Sequence, residues 1–228
     1  MIGVYVKVPI ACFRVGHARE YWESLLLPPP STCYGFLLSF VGENGDQGDS
    51  SGPCTDARLR HLGVRVSPTL MNQPDAGRVL RTLWRIKSKS NPPGVGDNKT
   101  PGYQQLLTNV ELIIWLDSGQ EMNGVPDLET RVTDALDPSR RGQLHRFGGL
   151  SLGESTHLVD EVYRFSGDES RQGQAFLLNP TGRYTFPVWV DHVGSAGTKY
   201  VTGDLVPGPL LPPDVDRMPR IERKMSAT

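Results

Sequence analysis

Apolar and polar residues alternate at the start of the chain. In residues 4–13, Val4, Val6, Val8 and Ile10 interleave with Tyr5, Lys7 and Pro9. That period of two predicts a half-buried strand. Arg14 to Leu27 breaks the pattern and reads as a loop with a helical turn. The run PPPST at 28–32 then opens a helix, with Ser31 or Thr32 as its cap, Leu37, Leu38, Phe40 and Val41 as its apolar face, and Gly42 as its stop. Residues 43–57 are acidic and Gly-rich, a loop. Strand character resumes at 58–66 (RLRHLGVRV) and, less regularly, at 78–87 (RVLRTLWRIK). The segment SKSNPPGVGDNKTPGYQQ that follows is too polar for a core. VELIIWLD at 110–117 is almost continuously apolar, so it predicts a strand buried on both faces. Pro126 to Leu136 predicts a short helix started by Pro126 or Asp127, with Leu128, Val132 and Leu136 on one face. A Gly-rich basic stretch leads into a strand at 156–165 (THLVDEVYRF).

The order is β-α-β-β-α-β, an α+β chain of ferredoxin-like or RRM-like layout. A hairpin-like insertion leaves the sheet between about residues 68 and 108. Residues 166–228 form a small β-rich extension, with strands at 174–178 and 184–191 and an extended Pro-rich tail. The boundaries are therefore 1–165 for the main domain and 166–228 for the extension.

Composition adjusts this picture. The 228 residues carry 25 Gly and 19 Pro against 37% apolar residues, so much of the chain is loop, where binding residues tend to sit. No apolar stretch is long enough to span a membrane. Three cysteines without a CxxC suit a reduced cytoplasmic protein. The net charge of −1 exerts no global pull on nucleic acid. The basic residues are clustered, however. Arg78, Arg81, Arg85, Lys87 and Lys89 occur with no acid among them, and Arg81, Arg85, Lys87 and Lys89 share one face of a strand, opposite Trp84. Arg140, Arg141, His145 and Arg146 adjoin Gly148, Gly149 and Gly153.

Single-stranded RNA is held by cations on phosphates, aromatics under bases and glycines that admit backbone approach. Both basic segments fit that chemistry. They also fit a solvated edge strand and a flexible loop that happens to be basic. Phe147 either stacks a base or plugs the core, and Ser151 and Ser155 offer hydroxyls. Ser31 and Thr32, with free helix N–H groups, make an anion site or simply cap the helix. Tyr34 is a stacking or hydrogen-bonding candidate, and Arg14 pairs with a phosphate or with Glu20 or Glu23. The RNP1-type aromatic pattern is missing from the sheet strands. GDSSGP at 48–53 imitates a serine-protease motif, but only His17 precedes it and Ser51 replaces the glycine of the oxyanion turn. Residues 94–102 lack the GK[ST] of a phosphate loop. No metal-ligand spacing is present, and no cofactor is expected.

Four pieces together resemble the CRISPR-associated Cas-five family: Phe13-Arg14 ending the first strand, PPPSTCYGFLLSFVGE at 28–43, VELIIWLDS at 110–118 and FGGLSLGES at 147–155 before THLVDEV. The resemblance covers roughly residues 1–165, with a type I, I-B-like character. It implies an RNA-recognition-like domain whose thumb hairpin and Gly-rich loop hold the 5′ handle of the crRNA. It also implies a body that docks on a Cascade backbone subunit and large subunit, meets target DNA only indirectly, and has no membrane partner. Whether such a complex recruits a nuclease or, through a transposition-recruitment protein, a transposition machinery stays open. Some relatives cleave repeat RNA with a Tyr, Lys and His cluster. Here His61 and His145 lack a matching Lys, which speaks for a non-catalytic subunit. The alternative is a metal-independent endoribonuclease using His145, Tyr34 or His61 as acid and base.

Overall fold

The computed structural model describes residues 1–15, 21–43, 53–84, 88–92, 94–144, 148–191 and 196–224. The alternating start forms β1 (Ile2–Ala11), followed by the short β2 (Phe13–Arg14), β3 (Tyr21–Trp22) and β4 (Ser24–Leu25). Helix α1 (Pro30–Phe40) and helix α2 (Pro53–Arg60) precede β5 (Arg65–Leu70). Then come β6 (Asp75–Trp84), the long β7 (Lys99–Asp117), helix α3 (Leu128–Leu136) and β8 (Glu161–Phe165). Strands β9 (Asp168–Leu178), β10 (Tyr184–Trp189) and β11 (Lys199–Leu210) complete the chain.

The result is a mixed fold with a large, mainly antiparallel sheet and few helices. The strand order is β10-β11-β9-β5-β7-β1-β8, with β3 and β6 also paired to β7. The register puts Val4, Val6 and Val8 opposite Ile114, Leu112 and Val110. These residues face α1 and α3, where Cys33, Tyr34, Leu37, Leu128 and Val132 close the main core. The opposite face holds Tyr5, Ile113 and Trp115 under Met71, Leu210 and Met218. Both faces of 110–117 are thus covered, as its unbroken apolar run predicts.

Several local expectations are corrected. The 58–66 strand begins later, because α2 occupies 53–60. Arg58 stacks 4.1 Å from the Trp189 ring centroid and donates to Val190 O at 2.8 Å, contacts distant in sequence that hold this helix in place. Helix α1 has no side-chain cap. Its N-cap is Pro29, and the Oγ of Ser31 is buried without a hydrogen-bond partner. Helix α3 is capped by Asp127, whose Oδ1 accepts from Thr130 N at 2.7 Å. The Pro-rich tail is largely β11, and the stretch beyond it returns to β5 through the Arg65–Arg220 bridge.

β6 and β7 form a long hairpin. β6 pairs with the first half of β7 from Asp75–Thr108 out to Trp84–Lys99, beyond the core sheet. Its polar tip, expected to bury nothing, is organised around the fully buried Asn98. The amide of Asn98 donates to Ser88 O (2.9 Å) and Asn91 O (2.6 Å), while its Oδ1 accepts from Ser88 N at 2.9 Å. Arg85 and Lys87 lie outside the described residues, as do residues 44–52, which hold most of the GDSSGP segment.

Candidate nucleic-acid interface

Three sequence-distant pieces meet where the hairpin leaves the sheet. β2 brings Arg14 off the end of β1. β3 lies parallel to β7, with Tyr21 beside Tyr103 and Trp22 beside Gln104. The Arg14 guanidinium stacks on Trp22, 3.9 Å from the ring centroid, a cation–π arrangement. From β6, Arg81 approaches the same ring at 5.6 Å, and Arg78 lies 5.7 Å from the Tyr21 centroid. Tyr103 is exposed beside them.

The Gly-rich loop supplies the third piece. Gly153 takes φ +92°, and a Cβ there would stand 2.7 Å from the carbonyl oxygen of Cys12. Only glycine fits that left-handed position against the end of β1. Next to it, Glu154 accepts from Gln104 Nε2 at 2.8 Å and from Arg81 Nη1 at 3.2 Å, while Arg81 also donates to Gln104 Oε1. Gln104 is fully buried, so its amide is satisfied by these two charged neighbours. His157 Nε2 stands 4.0 Å from Glu154, and burial, the largest influence, pushes the His157 pKa below its ordinary value of 6.5.

The other proposed contacts divide. Lys89 is exposed near the hairpin tip. Arg140 is already paired with Asp134 (2.5 Å) and lies 3.7 Å from Asp137. Arg141 is exposed and lines an open cavity of about 650 Å³ with Gly148, Gly149 and Leu158. Gly148 has φ +77° and open space around it, whereas the conformation of Gly149 is not left-handed. Ser151 bridges to Leu158, and Ser155 is exposed. Thr32, like Ser31, is half-buried at the start of α1. His145, Arg146 and Phe147 lie outside the described residues.

Two candidates turn inward. Tyr34 is 2% exposed and its hydroxyl donates to Arg58 O at 2.8 Å. Burial raises its pKa, and the ring has no face left for a base. His61 is enclosed between Glu121 Oε1 (2.5 Å from Nδ1) and Glu43 Oε1 (3.4 Å from Nε2), within a network that also takes in Arg60 and Arg131. Both serve packing between α1, α2 and the loop before α3. Gly153 likewise serves the fold, through its close approach to Cys12.

Trp22, Gln104 and Glu154 were not singled out from sequence. The signal available was the adjacent aromatic pair Tyr21-Trp22 in the loop after Arg14. The sheet also carries one stacked aromatic pair, Tyr5 and Tyr163, with centroids 4.2 Å apart. Tyr5 donates to Glu111, and Lys7 beside it is already paired with Glu161, surroundings that do not favour phosphate.

No family model matches the chain. A CRISPR-associated protein Cas5 from Myxococcus xanthus (strain DK1622) is 43% identical over 222 residues, 97% of each chain. A solved chain of a CRISPR RNA-guided surveillance complex aligns with a TM-score of 0.56 at 11% identity, covering 91% of this chain and 90% of its own. A crystal structure of a Cas protein aligns at 0.50 and 12% identity, covering 96% and 97%. At such identities these two likenesses concern the fold. The extent and level of the sequence match show that the chain belongs to the Cas5 family.

Proposed function

We propose that this chain is a non-catalytic, cytoplasmic subunit of a type I CRISPR surveillance complex that binds the 5′ handle of the guide RNA. The observation that carries the reading is the convergence of Arg14, Trp22 and Arg81 at the base of the hairpin. Cations held on an aromatic face, beside exposed Tyr103, are the groups that single-stranded RNA needs. The family membership and the fold likeness to a chain of an RNA-guided surveillance complex support it.

The strand order β8-β1-β7-β5, with helical connections after β1 and β7, fits a ferredoxin-like core for residues 1–165 carrying the hairpin as its thumb. Strands β9 to β11 then serve as the 166–228 extension. The rest of the body is free to dock backbone and large subunits, leaving target DNA to the guide. Catalysis is not part of the reading: Tyr34 and His61 are enclosed, and the remaining candidate, His145, has no matching Lys in the sequence.

The test is a filter-binding titration of repeat-derived RNA against the full chain over a range of salt. Arg14→Ala with Arg81→Ala is expected to weaken binding and to flatten the log–log salt slope by about 0.7 for each lost phosphate contact. An unchanged slope refutes the assignment. Incubation of the same RNA in EDTA is expected to leave it intact, and cleavage there would favour the endoribonuclease instead.

A further inference from the structure

We propose that Glu154 is an internal competitor for RNA phosphate, and so sets the selectivity of the Arg81 contact. The inference rests on the RNA reading above and concerns its regulation. It starts from a difference between two arginines on one ring. Among the described residues Arg14 has no carboxylate partner, and its guanidinium rests on Trp22. Arg81 is held by Trp22, by Gln104 and by Glu154.

The arrangement is fixed from beneath. Gln104 has no exposure and both ends of its amide are engaged, with Oε1 on Arg81 and Nε2 on Glu154. It therefore aims the carboxylate at the guanidinium. Gly153 pins the next residue against Cys12, which limits how far Glu154 can withdraw. A carboxylate and a phosphate offer an arginine fork the same thing, two anionic oxygens, and compete for its N–H groups.

The competition is winnable. The Arg81 side chain is 40% exposed and that of Glu154 is 18% exposed. A pair so open to water is weak. A phosphate brought in by an RNA that also engages Arg14 and the hairpin displaces Glu154, whereas a stray phosphate with no such support does not. Glu154 thus lowers affinity for every RNA and penalises the poorly fitting ones most.

The experiment uses the full chain, fluorescein-labelled repeat-derived RNA from its own locus, and a shuffled RNA of the same composition. Glu154→Gln removes the charge and keeps one acceptor oxygen, enough for the bond from Gln104 but not for the bond from Arg81 as well. It is expected to tighten both RNAs, by up to about fivefold, with the shuffled RNA gaining more. The salt slope is expected to steepen by about 0.7, one added phosphate contact, for the shuffled RNA and to stay unchanged for the repeat-derived RNA. In an Arg81→Ala background the gain should vanish, since the two residues act as a unit. Glu154→Asp, which keeps the charge one methylene further back, should fall between the wild type and Glu154→Gln and supplies a second folded variant. Weaker binding by Glu154→Gln with a normal thermal melt, or a gain that survives Arg81→Ala, overturns the proposal and leaves the RNA reading standing. Indifference of wild-type binding to Arg14→Ala and Arg81→Ala overturns both.

Discussion

Gly149 and Gly153 stand four positions apart in one loop, yet the structure gives them different work. A Cβ on Gly153 would meet backbone, the Cys12 carbonyl at 2.7 Å, at a φ of +92°. Neither the carbonyl nor the φ can relax cheaply, so Gly153→Ala should lower stability by about 1–3 kcal/mol. A Cβ on Gly149 meets only the tip of the Leu158 side chain at 2.9 Å, and Leu158 is exposed and free to turn. Gly149→Val should therefore melt like the wild type while recovering less guide RNA and fewer backbone subunits in a pull-down. Equal melts for the two variants would contradict this division, and normal RNA recovery by Gly149→Val would remove the 148–149 backbone from the contact. His157 adds a dependence on pH. Its burial favours the neutral ring, so the unfolded chain binds the proton more readily, near the ordinary 6.5. Stability is then complete above that value and declines as the pH falls below it. Glu154 opposes the shift and Arg81 adds to it. His157→Gln should flatten the fall in Tm between about pH 7 and about pH 5. A slope identical to the wild type would show that carboxylates alone govern that range.

At the scale of elements, legibility followed the strength of the local pattern. β1 and the second half of β7 were readable because an alternating run and a continuous apolar run each specify burial. Helix α3 was readable because Asp127 caps it and the apolar spacing of Leu128 and Val132 agrees with the cap. α2 was not, since PCTDARLR has no apolar stripe and owes its place to Trp189, far along the chain. β11 was hidden by Pro207 and Pro209, which pair with Gln174 and Gln172 despite lacking N–H groups. The candidate site divides in the same way. Arg14 and Arg81 could be picked out as cations, but their meeting place could not, because Trp22 reaches it through a parallel pairing with Gln104 that no local pattern announces. Glu154 was hidden for another reason: an acid beside a basic face reads as noise until its partner is seen.

For the molecule as a whole, the return of the C-terminal tail joins the extension to the body. β9 pairs with β5 at Thr69 and Leu70, so the start of β5 needs another neighbour. Residues 219–221 provide it: Gly63 N donates to Ile221 O at 2.9 Å, Ile221 N to Val64 O at 2.8 Å, and Val66 N to Pro219 O at 2.9 Å. Met218 and Ile221 are fully buried, one in each of the cores on the two faces of the sheet. A tail held only by its prolines would tolerate truncation of these side chains, whereas a tail that completes the sheet would not. Ile221→Ala removes buried methyl groups from the main core and should cost about 2–4 kcal/mol. In a chain of this size each kcal/mol lowers Tm by about 2–4 °C, so the loss is measurable by calorimetry. Asp216→Ala, at a side chain 91% exposed and 3.8 Å from Arg65, is the matched control and should change Tm by little. A wild-type melt for Ile221→Ala would show that the tail does not dock in solution. The expected drop, with RNA binding retained at low temperature, would place the tail in the folding of the body rather than in its contact with RNA.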